Sequence, residues 1–379
     1  MLELPPLSLY IHVPWCIRKC PYCDFNSHEA QEALPESEYI AALCDDFDRE
    51  LDRAENRELQ SIFIGGGTPS LFSAAAFEKL LNHIQKRSKL SEQIEITLEA
   101  NPGTAEASKF EDYRSVGINR LSLGIQSFDD THLQSLGRVH DGLQARKAID
   151  IAKRSGFENL NLDLMHGLPT QVEADALKDL HIALDFSPAH LSWYQLTIEP
   201  NTVFYSQPPT LPPDTILDRI QEAGQQLLCD NGYNRYEVSA YSLPGKHSVH
   251  NLNYWQFGDY LGIGAGAHGK LTYPEKNILV RVRKIKQPQH YLRNELRRDA
   301  EVSEINENDR PLEFLLNALR IKQGFSMKTF ENRTGVPFST IGKKVEYLVS
   351  KDLLSQNDEW ITTTEKGYRL LNSLLEEFL

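Results

Sequence analysis

The sequence predicts an α/β fold: a partial (β/α)6 barrel followed by a C-terminal, mostly helical, winged-helix-like domain. Three observations predict it. Six short β-rich runs alternate with helical stretches over the first two thirds of the chain, polar or glycine-rich residues recur just past the end of each run, and from about Asn308 the texture changes to short helices and a hairpin. Alternation of this kind builds parallel βαβ units. Six units are too few for a closed eight-stranded barrel, and the C-terminal strand ends of such a barrel form its active face.

In order, the run Leu7–Val13 is followed by Cys16, Cys20 and Cys23, and Ser61–Ile64 by Gly65-Gly66-Gly67-Thr68-Pro69. Ile94–Leu98 leads into Glu99, Arg120–Ile125 into Gln126, Leu160–Leu164 into the segment Asp163 to Gly167, and His190–Leu196 into Thr197. Helical patterns at Glu38–Glu50, Ala75–Lys86, Gly142–Lys153 and Ala174–Leu184 lie between the runs. A Pro-rich turn, Pro208 to Pro213, precedes a helix from about Asp214 to Asp230, and a glycine-rich stretch follows at Gly258–Gly269. The expected division is a barrel over 1–240, a connecting segment over 241–305 and the winged-helix-like domain over 306–379.

The 379 residues carry a net charge of −13, which argues against a dedicated nucleic-acid binder, since phosphate contacts need a basic surface. The terminal domain is nearly neutral, with ten Lys/Arg against nine Asp/Glu from Arg310 onward, and reads as a packing or protein-contact module rather than a DNA reader. No apolar stretch reaches membrane-spanning length and the first residues have no signal-peptide pattern, so a cytoplasmic location is the expectation. Three of the five cysteines share one short loop, which makes a poor disulfide framework and a good metal or cluster site. Cys44 and Cys229 read as structural.

The Cys16-x3-Cys20-x2-Cys23 loop supplies three thiolates. Iron–sulfur clusters usually take four, so three leave one iron open to a chelating small molecule. A structural zinc with His12 as fourth ligand is the competing reading, but structural zinc prefers paired Cys-x2-Cys knuckles.

The motifs YIHVPWCIRKCPYCDF, GGGTPS, EANP, LSLGIQSF, LGRVH, LDLMHGLP, HNLNYW and GIGAGAHG together resemble the radical SAM family. The resemblance is to its oxygen-independent coproporphyrinogen dehydrogenase branch and, within that, to the heme chaperones. It covers essentially the whole chain. It implies a [4Fe–4S] cluster on Cys16, Cys20 and Cys23, with S-adenosylmethionine (SAM) on the open iron. It further implies SAM contacts from Gly66, Gly67, Thr68, Glu99, Gln126, Arg138, Asp163 and Thr197, with Tyr10 and Tyr22 flanking the cluster. Carboxylates suit ammonium and ribose hydroxyl groups, and the arginine fork suits a carboxylate.

Two departures bear on function. The dehydrogenases carry a further cysteine two positions after the third cluster cysteine, and Phe25 stands there in this chain. The resemblance also leads to the expectation that this protein does without the long N-terminal extension that helps those enzymes enclose substrate. In the other direction, His250-Asn251-Leu252-Asn253-Tyr254-Trp255 matches the HNxxYW signature of the heme chaperones. The resemblance therefore implies heme as a further ligand, with His250 as its candidate iron ligand and His268 next. Taken alone, a histidine beside aromatics is more often a packed, hydrogen-bonded residue. His12 and His166 are expected to support the cofactor site. The basic run 281–286, with Arg293, Arg297 and Arg298, reads first as a solvated face and second as a site for heme propionates or an anionic membrane surface. The expected function is heme binding and delivery to respiratory heme enzymes, with dimerisation linked to the cluster and acceptors at the membrane. The alternatives are oxidative decarboxylation of coproporphyrinogen and, more weakly, DNA-binding regulation.

Overall fold

The structure is a computed structural model that describes residues 1–30, 33–103, 107–293 and 297–379. Its main sheet contains six parallel strands in chain order, β1 (Leu7–Val13), β2 (Leu59–Gly66), β3 (Leu90–Ala100), β4 (Arg120–Gln126), β5 (Asn159–His166) and β6 (His190–Gln195). Helices α1 (Glu36–Arg53), α2 (Ala74–Arg87), α3 (Phe110–Ser115), α4 (Gly142–Arg154) and α5 (Glu173–Asp185) are interleaved with these strands, and α6 (Asp214–Asp230) follows the sixth. The strands obey the period of two. In β1, Leu7, Leu9, Ile11 and Val13 join the apolar core, while Ser8, Tyr10 and His12 carry the polar contacts of the opposite face. Ile62/Ile64, Ile96/Leu98, Leu121/Leu123 and Leu160/Leu162 repeat the apolar side. The other parity makes a buried polar network: Ser8–Ser61 at 2.8 Å, Ser122–Asp163 at 2.9 Å and His190–Asn161 at 2.6 Å.

Beyond β6 the sheet is extended on both edges. β7 (Ala240–Ser242) pairs antiparallel with β6. On the other side β8 (Asp259–Ile263) runs parallel to β1, and β9 (His268–Tyr273), β10 (Ile278–Lys284) and β11 (Asp299–Glu304) continue antiparallel. The glycine-rich stretch Gly258–Gly269 thus contains a core strand, because β8 has both neighbours supplied from outside its own segment. Its Asp259 holds Lys270 at 3.0 Å and Arg57 at 2.7 Å, which compensates a fully buried carboxylate.

The last part of the chain has a separate apolar core that includes Phe314, Phe325, Phe330, Leu348 and Ile361, together with Leu2, Phe257 and Leu279 from outside it. Helices α8 (Arg310–Ala318), α9 (Met327–Thr334) and α10 (Ser339–Ser350) and the three-stranded sheet Phe325–Ser326, Leu354–Asn357 and Trp360–Thr363 build it. The buried guanidinium of Arg310 donates to the carbonyls of Ile305, Thr334 and Asn277 (2.9–3.3 Å), fastening this unit to the sheet. Among the described residues, no helix is long and apolar enough to cross a membrane.

Candidate functional site

The three cysteines sit on one wall of a cavity of about 480 Å³ at the C-terminal strand ends. The loop is pinned from below. The His12 Nε2 hydrogen donates to the Asn26 carbonyl at 2.8 Å, so its Nδ1 accepts from the Tyr10 hydroxyl at 3.0 Å. Burial lowers the His12 pKa to about 4, keeping the ring neutral as this tautomer requires. Asn26 Nδ2 in turn donates to the Ala265 and Lys286 carbonyls at 2.9 Å, so the glycine-rich turn at Gly264–Gly266 holds the cysteine loop in place.

The glycine motif docks against the same loop. Gly66 has φ of +117°, and a Cβ there would lie 2.6 Å from the His12 ring; at Gly67 a Cβ would lie 2.5 Å from the Trp15 carbonyl oxygen. Gly66 N–H donates to Glu99, Gly67 N–H to Val13 O and Thr68 N–H to Trp15 O, all at 2.7–3.1 Å. With these three N–H donors engaged, the backbone of Gly66, Gly67 and Thr68 offers carbonyl acceptors, which complement an ammonium group rather than an anion.

Glu99 and Asp163 line the cavity. Burial, and then the neighbouring Asp163, push the Glu99 pKa up to about 8. Burial also raises Asp163, against hydrogen bonds from Ser122, Ser192 and Asn161. The Arg120 guanidinium draws on both carboxylates, yet burial outweighs it and both stay raised, an environment that a positively charged ligand would relieve. Because the folded Glu99 pKa lies above the ordinary carboxylate value, the folded state holds its proton more tightly than the unfolded one. Glu99 therefore lowers stability progressively as pH rises from that ordinary value to about 8. Glu99→Gln is accordingly expected to raise the melting temperature of the cofactor-free protein at pH 8 but not at pH 5, while weakening SAM binding. Equal melting shifts at both pH values would overturn this account.

Arg138 crosses the cavity floor. Nη2 donates to Asn101 (2.6 Å) and to the Gly124 carbonyl (2.8 Å), and Nη1 lies 3.6 Å from the Cys20 sulfur. Its buried Nε has no partner, nor does the buried indole N–H of Trp255, another lining residue. Gln126 takes a positive φ of +67° and accepts a hydrogen bond from Tyr194 at 2.8 Å, a strained backbone of the kind that clusters at ligand sites. Tyr22 lines the cavity and packs on Phe204.

Two of the residues expected at SAM, and the expected heme ligand, fall elsewhere. Tyr10 lies one layer beneath the cavity, against Phe63. Thr197 lines a second cleft with His166, because the chain leaves the sheet at Gln195. His250, 3% exposed, is turned into the polar interior on helix α7 (Val249–Trp255). Its Nδ1 is 3.0 Å from Ser61 Oγ and its ring stacks on Phe63 at 4.9 Å, so it reaches neither cavity. The i, i+4 geometry explains this: His250 and Tyr254 share the inward face, and Asn251 and Trp255 the cavity face. Trp255, expected to line an apolar pocket, lines this cavity, and residues that the sequence reading did not single out include Asn101, Ser122, Ser192, Tyr194 and Asn251. The helical spacing within HNLNYW, and polar residues at alternate strand positions, were the signals that could have found them. His268 is exposed.

The basic run is largely neutralised within the fold. Lys284 is buried between Asp46, Glu50 and Asp299 at 2.7–2.8 Å, Arg281 pairs with Glu313, Arg283 with Glu301 and Arg298 with Asp45.

The residues fit an iron–sulfur cluster better than a single ion. Among the described residues, one set of three His, Cys, Asp or Glu brings its ligand atoms within 4.8 Å of one another, and it is Asp46, Glu50 and Asp299, already occupied by the Lys284 ammonium. The three sulfurs do not all lie within 4.8 Å of one another, whereas tetrahedral zinc–thiolate bonds of ~2.3 Å bring sulfurs to ~3.8 Å. Thiols on separate irons need that wider spread.

Residues 10–183 match the radical SAM superfamily, and residues 305–370 the HemN C-terminal domain. The chain is 51% identical to the heme chaperone HemW of Haemophilus influenzae, over 100% of this chain and 99% of that one. It is 47% identical to the heme chaperone HemW of Escherichia coli, over the whole of both chains. It superposes on coproporphyrinogen III oxidase (HemN) from Escherichia coli with a TM-score of 0.81, over 99% of this chain and 90% of that one, at 21% identity, a likeness of fold. Fold and site together are those of a radical SAM protein, a class that implies a [4Fe–4S] cluster and SAM. Within that class, the chain belongs to the heme chaperone HemW family.

Proposed function

We propose that this protein binds heme and transfers it to acceptor heme proteins, holding a [4Fe–4S] cluster on Cys16, Cys20 and Cys23 with exchangeable SAM beside it. The observation that carries the reading is identity of 47–51%, end to end, with proteins named as heme chaperones. When bound, the cluster would supply a single electron to the SAM sulfonium. The chain's own residues do the holding. Glu99 and the carbonyls of the glycine motif accept from the SAM ammonium, Asp163 takes ribose hydroxyls, and Arg138, whose Nε has no partner, serves the carboxylate. Gln126 and Thr68 complete the wall, and Tyr22 shields the cluster side. Asn251 and Trp255 close the cavity from the helix that carries the heme-chaperone motif. Phe25, 59% exposed, lies at the lip of this cavity, where the dehydrogenases have a cysteine, which weighs against porphyrinogen decarboxylation. The acceptors are respiratory enzymes reached at the membrane surface, from a cytoplasmic protein that dimerises when the cluster is present.

Anaerobic titration of the cluster-reconstituted protein with heme tests the reading. A saturable Soret shift at about one heme per chain is expected, with no protoporphyrinogen formed from coproporphyrinogen. Turnover of coproporphyrinogen without saturable heme binding would replace this function with the catalytic one.

A further inference from the structure

A second cleft, of about 660 Å³, lies between β6, α6 and the C-terminal helices. That size falls in the range of ligand sites, and such sites favour the seams between structural units. Resting on the heme-chaperone reading above, we propose that this cleft is where heme docks, with the His166 imidazole on the iron and Arg320 and Arg369 facing the propionates.

Four observations carry this. First, His166 is 4% exposed and lines the cleft, and its Nδ1 is buried with no hydrogen-bond partner. Buried polar atoms in native folds are almost always satisfied, so an orphaned one on a residue that lines a cavity points to a ligand. Imidazole is a common proximal ligand of heme iron. The ring packs against Trp193, tilted by 36° with centroids 4.2 Å apart, a contact that does not occupy its nitrogen.

Second, the walls include Trp193, Tyr194, Tyr241 and Tyr368, aromatic side chains that border the cleft among polar neighbours and can pack on a flat macrocycle. Third, the cleft carries cations near its rim. Arg320 lies over the Trp255 ring at 4.4 Å and 3.6 Å from Glu237, and its Nε has no partner. Arg369 is held at the surface by Glu222 at 2.7 Å, an exposed pair that a propionate can displace. Fourth, the cleft adjoins the cluster cavity. Tyr194 lines both, and Trp255, which lines the cluster cavity, bears Arg320 on its ring. A cargo in the cleft would thus press on residues that also close over SAM. Position 166 has the strand parity of the outward Leu160, Leu162 and Leu164 and does not line the cluster cavity, so the site already described makes no use of its imidazole.

The test is anaerobic heme titration of the reconstituted wild type, His166→Gly and His250→Ala, followed by Soret absorption and the spin state of ferric heme. The proposal expects at least tenfold weaker binding and an altered spin state in His166→Gly, restored by added imidazole, and an unchanged ligand signature in His250→Ala. Wild-type affinity and spectrum in His166→Gly would overturn the site while leaving the chaperone reading in place. Weak binding that imidazole does not restore would make His166 a packing residue and equally overturn it. Absence of saturable binding in the wild type would instead remove the chaperone reading on which the proposal rests.

Discussion

Cys20→Ser is expected to abolish the cluster while leaving the fold intact. Serine nearly matches the thiol in size and can keep a polar contact with the Arg138 guanidinium, 3.6 Å from the sulfur, so the apo-protein should lose less than about 1 kcal/mol, as for an ordinary conservative change. The cluster, however, needs all three thiolates, since one iron is already without a protein ligand. Iron after reconstitution should fall from about four per chain to background, with loss of the sulfur-to-iron charge-transfer absorption and of SAM binding. Cys16→Ser and Cys23→Ser should behave alike, whereas Cys229→Ser, at an exposed thiol outside the site, should keep full iron content. A wild-type protein that takes up one zinc per chain and no iron would sink the assignment.

Gly66→Ala is expected to be strongly destabilising. Left-handed backbone costs a residue with a Cβ about 1–2 kcal/mol, and overpacking adds about 1–3 kcal/mol. The sum of about 2–5 kcal/mol should appear in urea unfolding. The steric part is specific: the new methyl would meet the His12 ring, which holds the cysteine loop through Asn26. In a His12→Ala background the penalty should shrink to the backbone part, a coupling that a double-mutant cycle reads directly. Gly245→Ala, also at positive φ but with nothing within 4 Å of its Cβ, is the control and should cost only the backbone part. Equal penalties at Gly66 and Gly245 would show that the contact with His12 carries no energy.

Much of this architecture is readable along the chain. β1 is bounded at the residues its pattern indicates, and α6 spans Asp214–Asp230 as its periodicity suggests. β2, β3 and β5 run one to four residues beyond their apolar runs at one or both ends, because pairing with neighbours extends strands past the hydrophobic signal. The convergence of Glu99, Gln126 and Asp163 was also legible, since residues just past or near parallel strand ends must share one face. The sites of Tyr10 and Thr197 were not, because a one-residue difference in parity or a turn of the chain moves a side chain to another layer.

Local order of residues was thus sufficient for the strands, the helices and the three-thiol loop, because period, capping and ligand spacing act over a few residues. The three-thiol count points to a cluster with one open iron, and it is the radical SAM family that implies [4Fe–4S] and SAM. The parallel seating of β8 beside β1, the inward turn of His250 and the cleft around His166 come from contacts made at long range. Ser61 and His250 are 189 positions apart, and their 3.0 Å hydrogen bond decides which way that histidine faces. A motif can name a histidine, but its surroundings determine whether its nitrogen is spent on a serine or left open for iron, and those surroundings are assembled only when the sheet and the C-terminal unit pack together.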